Sequence, residues 1–317
     1  MGEKTTRSDV TVALKRVRDV LVADFGPENH PDINIQRVTG YLHEIGVTPV
    51  PIAILSPTQV SEFYMLLKRG GFGYSPDNFS GLNAQFFPEL GMVAIYRNLD
   101  NETINGGPIV TEGYIVHEQC HADEGLSSKV PLTNFIDKEG QPIFKKLRSG
   151  FSVGSHNAKW AGFFLEEGYA DVFRGYYMAR YAPESYWQNL AKALGVSHLT
   201  PNSLLTLTNA RGDKVQISAK YATLERDKQG KMKLPYNESC LPAAALELLV
   251  KHDGELSQML VDARYDIGSY RRLIQRINSH DKLYSKIFQL GHNHDDFFTG
   301  LKLVTDHILK TDESKQP

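Results

Sequence analysis

Cysteine is almost missing from this chain: Cys120 and Cys240 are the only two in 317 residues. That excludes a disulfide-stapled scaffold, which needs several bridges to hold a small core together. Long apolar runs are missing too. None approaches the roughly 18 residues of a membrane-crossing helix, so no membrane span is expected. Charge of one sign is also lacking. With 35 Lys and Arg against 37 Asp and Glu, the formal net charge is -2. Such a balance offers no global attraction to nucleic acid or to an anionic membrane surface. The opening Met-Gly-Glu-Lys-Thr-Thr-Arg places charges where a secretory leader has its apolar core. The expected location is therefore cytoplasmic, or secreted if a leader has already been removed. Internal repeats are absent, and only the last few residues have the polar composition of a disordered tail.

What remains is an ordinary globular composition, 41% hydrophobic and 23% charged, long enough for one large domain or two smaller ones. Residues 8 to 24 carry Val10, Val12, Leu14, Val17 and Leu21 at helical spacing, stopped by Gly26-Pro27. The stretch 33 to 41 fits a strand or a short helix equally well. A β-like run, 47 to 55, precedes a helix opened by Ser56-Pro57 and ending near Lys68. Residues 69 to 81 are glycine-rich and read as a loop, without the Gly-Lys-Ser/Thr ending of a phosphate cradle. Residues 91 to 97 (GMVAIYR) form a strand, and 109 to about 123 a helix. A long connection, 125 to 159, leads to a helix from about 157 or 159 to 181 and another from 183 to 194. Between 204 and 233 the alternation turns β-like around Arg211-Gly212-Asp213. From Cys240 onward helical spacing dominates. The expected fold class is α+β, divided into residues 1–235, which include the β-like segment 204–233, and a helical region 236–317.

The chemistry concentrates in Tyr114-Ile-Val-His-Glu-Gln-Cys-His-Ala-Asp-Glu124, which contains H-E-x-x-H at His117, Glu118 and His121. Residues four apart share one helix face, so the two imidazoles can grip one metal ion. Glu118 lies about 100° round the helix from His117, beside the coordination position left open for water. That is where a general base belongs. Cys120, between the histidines, faces away and fits a small core side chain.

A hydrolytic zinc site needs a third protein ligand. The best source is Phe163-Phe-Leu-Glu-Glu-Gly-Tyr-Ala-Asp-Val-Phe173. There Glu167 and Asp171 are four apart on an expected helix, one placed to ligate the metal and the other to orient a ligand histidine. Glu166 is the rival ligand, but its i+4 partner is Ala170, which can hold nothing.

These two segments resemble the gluzincin metallopeptidases, whose members include thermolysin-like, neprilysin-like and aminopeptidase groups. The resemblance rests on His117-Glu118-x-x-His121 and on Glu167-Gly-Tyr-Ala-Asp171, which is similar to the E-G-[FY]-A of the aminopeptidases. It implies a zincin-like core with a small mixed sheet and an active-site helix, followed here by the helical C-terminal region. It further implies one Zn²⁺ ion, with His117, His121 and Glu167 as ligands, Glu118 as base and Asp171 as orienter. The strand 91–97 would be the edge strand that receives an extended peptide or protein substrate. The segment between His121 and Glu167 is longer than in thermolysin-like and aminopeptidase members, and Asp123 stands where an apolar residue is usual. No motif marks the oxyanion stabiliser. Tyr169, Tyr176, His156, Tyr265 and Tyr270 are candidates by residue type and context alone.

Other metal chemistries are less well supplied. A di-iron bundle needs a second E-x-x-H, which this chain lacks, and no metzincin-type third histidine follows His121. His292-Asn-His294-Asp-Asp296 reads as a helix cap with an acidic first turn. The basic run Arg271-Arg272…Arg276 reads as a solvated helix face. His30, His43, His198, His252, His280 and His307 are scattered and read as surface or core residues. The alternative function is a zinc-binding protein that cuts no peptide, either a binding module or a hydrolase of another bond.

Overall fold

Helix α1 (Arg7–Phe25) ends with Leu21 and Phe25 fully buried, and these two residues begin the core of the first of two compact units. The computed structural model describes residues 7–70, 83–87, 90–127, 130–136, 142–149, 151–155, 158–226, 232–233, 240–291 and 293–313. The expected loop 69–81 therefore lies almost wholly outside the described residues, as do His156 and His292. The units are Met1–Asp123 and Glu124–Pro317. Their border differs from the expected division at residue 235.

In the first unit, β1 (Ile52–Leu55), β2 (Ala84–Phe87) and β3 (Met92–Tyr96) form one mixed sheet in the order β1-β3-β2. Strand β3 runs parallel to β1, with Ile54 opposite Ile95, and antiparallel to β2, with Phe86 opposite Val93. The parallel pair requires a crossover, and α3 (Val60–Arg69) lies in the chain between the two strands. Both parallel strands are buried almost throughout, as expected where both faces are covered. This corrects the expectation for residues 91–97. Its strand β3 is paired on both sides, so its backbone groups are already used and cannot receive a substrate strand. Among the described residues the edges are β1 and β2.

The core beneath the sheet brings Phe63, Tyr64 and Leu67 of α3 against Leu55, Phe87 and Met92. Phe63 meets Phe25 and Phe87 edge-on, each at a centroid distance of 5.8 Å. The undecided stretch 33 to 41 belongs to helix α2 (Ile35–Glu44) because Asn34 caps it, its side chain accepting from the Arg37 N–H at 2.9 Å. A short α4 (Leu99–Ile104), capped in the same way by Asn98, precedes α5 (Ile109–Ser127).

The second unit has strands where a long connection over 125 to 159 was expected. The strands β4 (Val130–Ile136), β5 (Pro142–Ser149), β6 (Ser152–Ser155) and β7 (Ala158–Ala161) form an antiparallel meander. Helix α6 (Phe163–Tyr181) therefore starts later than the sequence suggested. Its entry is Gly162 at φ +95°, where a Cβ would stand 2.5 Å from the Phe151 carbonyl oxygen. Only glycine fits that left-handed, crowded position. Helix α7 (Glu184–Leu194) follows, then the hairpin β8 (Leu204–Thr208) and β9 (Lys214–Ser218) turning at Gly212 as expected. Short strands β10 (Glu225–Arg226) and β11 (Met232–Lys233) pair next.

Helices α8 (Cys240–His252), α9 (Glu255–Ala263), α10 (Ile267–Ser279), α11 (Leu283–Phe288) and α12 (His294–Glu313) complete the unit. Helix α6 packs directly on α8: a Cβ at Gly168 would lie 2.8 Å from Leu246 Cδ1. That packing ties the helical C-terminal region to residues well before 235, and both belong to the second unit. On α12, a Cβ at Gly300 would fall 2.7 Å from Phe164 Cδ2, a fully buried ring. Gly300→Ala is therefore expected to lower stability by about 1–3 kcal/mol through overpacking, measured as a drop in the denaturant midpoint. An unchanged midpoint would show that the α6–α12 contact yields freely. The architecture is α+β, and among the described residues no helix is long and apolar enough to cross a membrane.

Candidate metal centre

Helix α5 is buried on nearly every side from Ile109 to His117, so its polar residues require partners. One face supplies them in the order Glu112, Gln119, Asp123. Glu112 receives Arg37 Nη2 at 2.6 Å and the Asn34 N–H at 3.0 Å. Gln119 takes the Val50 N–H at 2.8 Å and donates to the Val50 carbonyl at 2.9 Å. Asp123 accepts the Thr48 N–H at 3.4 Å. That contact gives a physical reason for an acid at position 123. Spacings of seven and four residues put all three on one side of the helix.

His117 and His121 occupy the opposite side. His117 is buried and His121 half-buried, with their Nε2 atoms 3.0 Å apart and ring centroids 4.6 Å apart. Two Nε2 ligands on a tetrahedral zinc ion with bonds of ~2.05 Å would stand ~3.3 Å apart. The pair thus has nearly the separation that one shared ion demands.

Gln119→Leu should strand the Val50 N–H and carbonyl in the interior. The expected loss is about 1–3 kcal/mol, read as a lowered unfolding free energy. A variant as stable as the parent would show that Gln119 does not fasten the histidine helix.

Glu118, half-buried, is next to the end of β3. The Tyr96 phenol is held well above its ordinary value, first by burial, then by the Tyr64 hydroxyl and last by the Glu118 carboxylate. Tyr96 and Tyr64 share a hydrogen bond of 2.6 Å, and Tyr64, chiefly through burial, is pushed up to about 12. The sequence gives no hint of this tyrosine pair, because its members lie on different elements with no motif joining them. Cys120 is fully buried, as expected of a small core residue.

In the second unit, Glu166 and Glu167 are half-buried on the first turn of α6, and Asp171 is fully buried one turn after Glu167. Asp171 has a partner that sequence reasoning missed. Arg174 grips it with both prongs of its guanidinium, Nε to Oδ1 at 2.5 Å and Nη2 to Oδ2 at 2.9 Å. Nη2 also reaches the Tyr221 carbonyl at 3.2 Å. The i,i+3 spacing was the available signal.

The oxyanion candidates fall into different settings. Tyr169 is buried beneath the Arg264 guanidinium, 4.7 Å from its ring. Tyr270 is buried and tied to the Tyr284 hydroxyl at 2.6 Å and the Phe151 carbonyl at 3.2 Å, which makes it a structural strut. Tyr265 and Tyr176 are both exposed, and the Lys220 ammonium stands 4.3 Å over the Tyr176 ring.

The expected cap also forms, with Asn293 Oδ1 accepting the Asp296 N–H at the start of α12. No family model, curated protein or solved structure matches this chain.

Proposed function

We propose that this chain is a zinc-dependent metallopeptidase with a gluzincin-type, zincin-like centre, in which His117, His121 and Glu167 hold one Zn²⁺ ion. The observation that carries it is the convergence of the two Nε2 atoms on one face of a buried helix, with Glu118 next in sequence to the first. Two imidazoles and a carboxylate match zinc's preference for nitrogen and oxygen ligands and leave one coordination position for water. When bound, the ion supplies Lewis acidity, bringing a water towards a pKa of about 7 and polarising a peptide carbonyl.

The remaining work falls to the chain. Glu118 accepts the proton of the attacking water and passes it to the leaving amine, acting first as base and then as acid. Asp171, held in place by both prongs of Arg174, receives a ring N–H of a ligand histidine and so selects its tautomer. The clamp of Glu112, Gln119 and Asp123 keeps the histidine face from rotating. The substrate is a peptide or protein, and the antiparallel edge β2 is the better place to receive its backbone, since β3 has no free edge.

Metal analysis of dialysed protein tests the ligand set. His121→Ala and Glu167→Ala should each lose this zinc, whereas Glu118→Gln should retain it. A zinc stoichiometry equal to the parent's in both ligand variants would defeat the assignment. Zinc bound as expected but without peptide turnover would favour a non-peptidase.

A further inference from the structure

Three histidines that the sequence scatters come together in the second unit. His252 closes α8, His280 follows the last residue of α10, and His307 lies in α12. One potential ligand nitrogen from each lies within 4.8 Å of the others. Their ring centroids are 5.3 to 6.3 Å apart. We propose that His252, His280 and His307 form a second metal site that takes a divalent transition cation of the zinc class.

Several features favour a cation over mere packing of three rings. The His307 Nε2 is buried and has no hydrogen-bond partner. An orphaned buried nitrogen is unfavourable, and coordination would satisfy it. His280 Nε2 stands 3.2 Å from Asp253 Oδ2. When that nitrogen carries the proton and donates it, the other ring nitrogen keeps its lone pair for a metal. A carboxylate behind a histidine is the usual means of orienting such a ligand. Asp253 is itself buried and held by Arg276 at 2.5 and 3.0 Å.

The backbone after His280 is unusual as well. Asp281 (φ 49°) and Lys282 (φ 55°) are the only non-glycine residues with positive φ among those described. Two consecutive left-handed residues turn the chain sharply just past the histidine, at a conformational cost.

Three imidazole nitrogens suit Zn²⁺, Ni²⁺ or Cu²⁺ and leave a coordination position for water or a further ligand. An ion there would link the ends of α8 and α10 to the middle of α12 and stabilise the second unit by mass action. The site is independent of the histidine pair on α5, and the test keeps the two apart.

Zinc titration calorimetry on the His117→Ala/His121→Ala protein should still find one equivalent. Adding His307→Gln or His252→Asn to that background should remove it, with the circular dichroism spectrum unchanged. Asp253→Asn should weaken it by about 10–100-fold. Zinc should raise the melting temperature of the α5 double variant but not of the triple variants. No bound equivalent in the folded double variant, or one that survives both His252→Asn and His307→Gln, would overturn the proposal. An affinity that Asp253→Asn leaves untouched would overturn the role given to Asp253.

Discussion

Glu118→Gln is expected to lower kcat for peptide cleavage by about 10²–10⁴-fold, the usual contribution of a general acid–base group, while its zinc content stays at the parental level. The amide has nearly the shape of the carboxylate, so the packing around α5 should survive. It cannot take up a proton at neutral pH, and the attacking water would lose its acceptor. Because the same carboxylate is assigned the return of the proton to the amine, kcat and kcat/KM should fall together. Paired measurement of zinc stoichiometry and steady-state kinetics separates this outcome from simple metal loss. Parental kcat in a zinc-loaded variant would remove Glu118 from the chemistry. Loss of zinc in the variant would instead make Glu118 part of the metal's support.

Arg174→Leu is expected to be the most destabilising single change, costing about 3–5 kcal/mol. Arg174 and Asp171 form an ion pair that is almost wholly buried, at 1% and 0% side-chain exposure. Removing the guanidinium strands a carboxylate in the interior without its counter-charge. It also takes a donor from the Tyr221 carbonyl. The double variant Arg174→Leu/Asp171→Leu should be less destabilised than Arg174→Leu alone, since removing both charges also removes the desolvation cost. Chemical denaturation of the three proteins measures the coupling. A double variant as unstable as the sum of the two single changes would mean that the pair is not coupled in the folded state.

The parts of the fold legible in the sequence were those with strong local signals. Helix α5 showed itself because its apolar run leads into a motif with fixed helical spacing. The hairpin β8–β9 showed itself because two alternating runs flank Gly212. Residues 33 to 41 were ambiguous for want of weight on Asn34, whose side chain decides the matter by capping α2. The meander β4–β7 was missed for a different reason. Lys145 and Lys146 sit side by side in β5 and Pro131 and Pro142 interrupt the pattern, so no clean two-residue period survives.

For the candidate site, spacing could find only partners on one helix: His117 with His121, Glu167 with Asp171. It could not find Val50 as the anchor of Gln119, or Tyr64 beside Tyr96, which depend on the folding of separate elements. The edge-strand assignment of residues 91–97 failed because a strand's neighbours are set by topology rather than by its own residues. The histidines at 252, 280 and 307 come from the end of α8, the residue just past α10 and α12, and no sequence pattern could have joined them.

Cleavage of a broad peptide library by the zinc-loaded protein, with and without a chelator, bears most directly on the proposed activity. Cleavage should occur with zinc, stop when the ion is stripped, and return when zinc is added back, and zinc-loaded Glu118→Gln should cleave about 10²–10⁴-fold more slowly than the parent. A zinc-loaded, folded protein that cuts no peptide, or cleavage that continues unchanged under the chelator, would contradict a zinc peptidase centred on His117, Glu118 and His121.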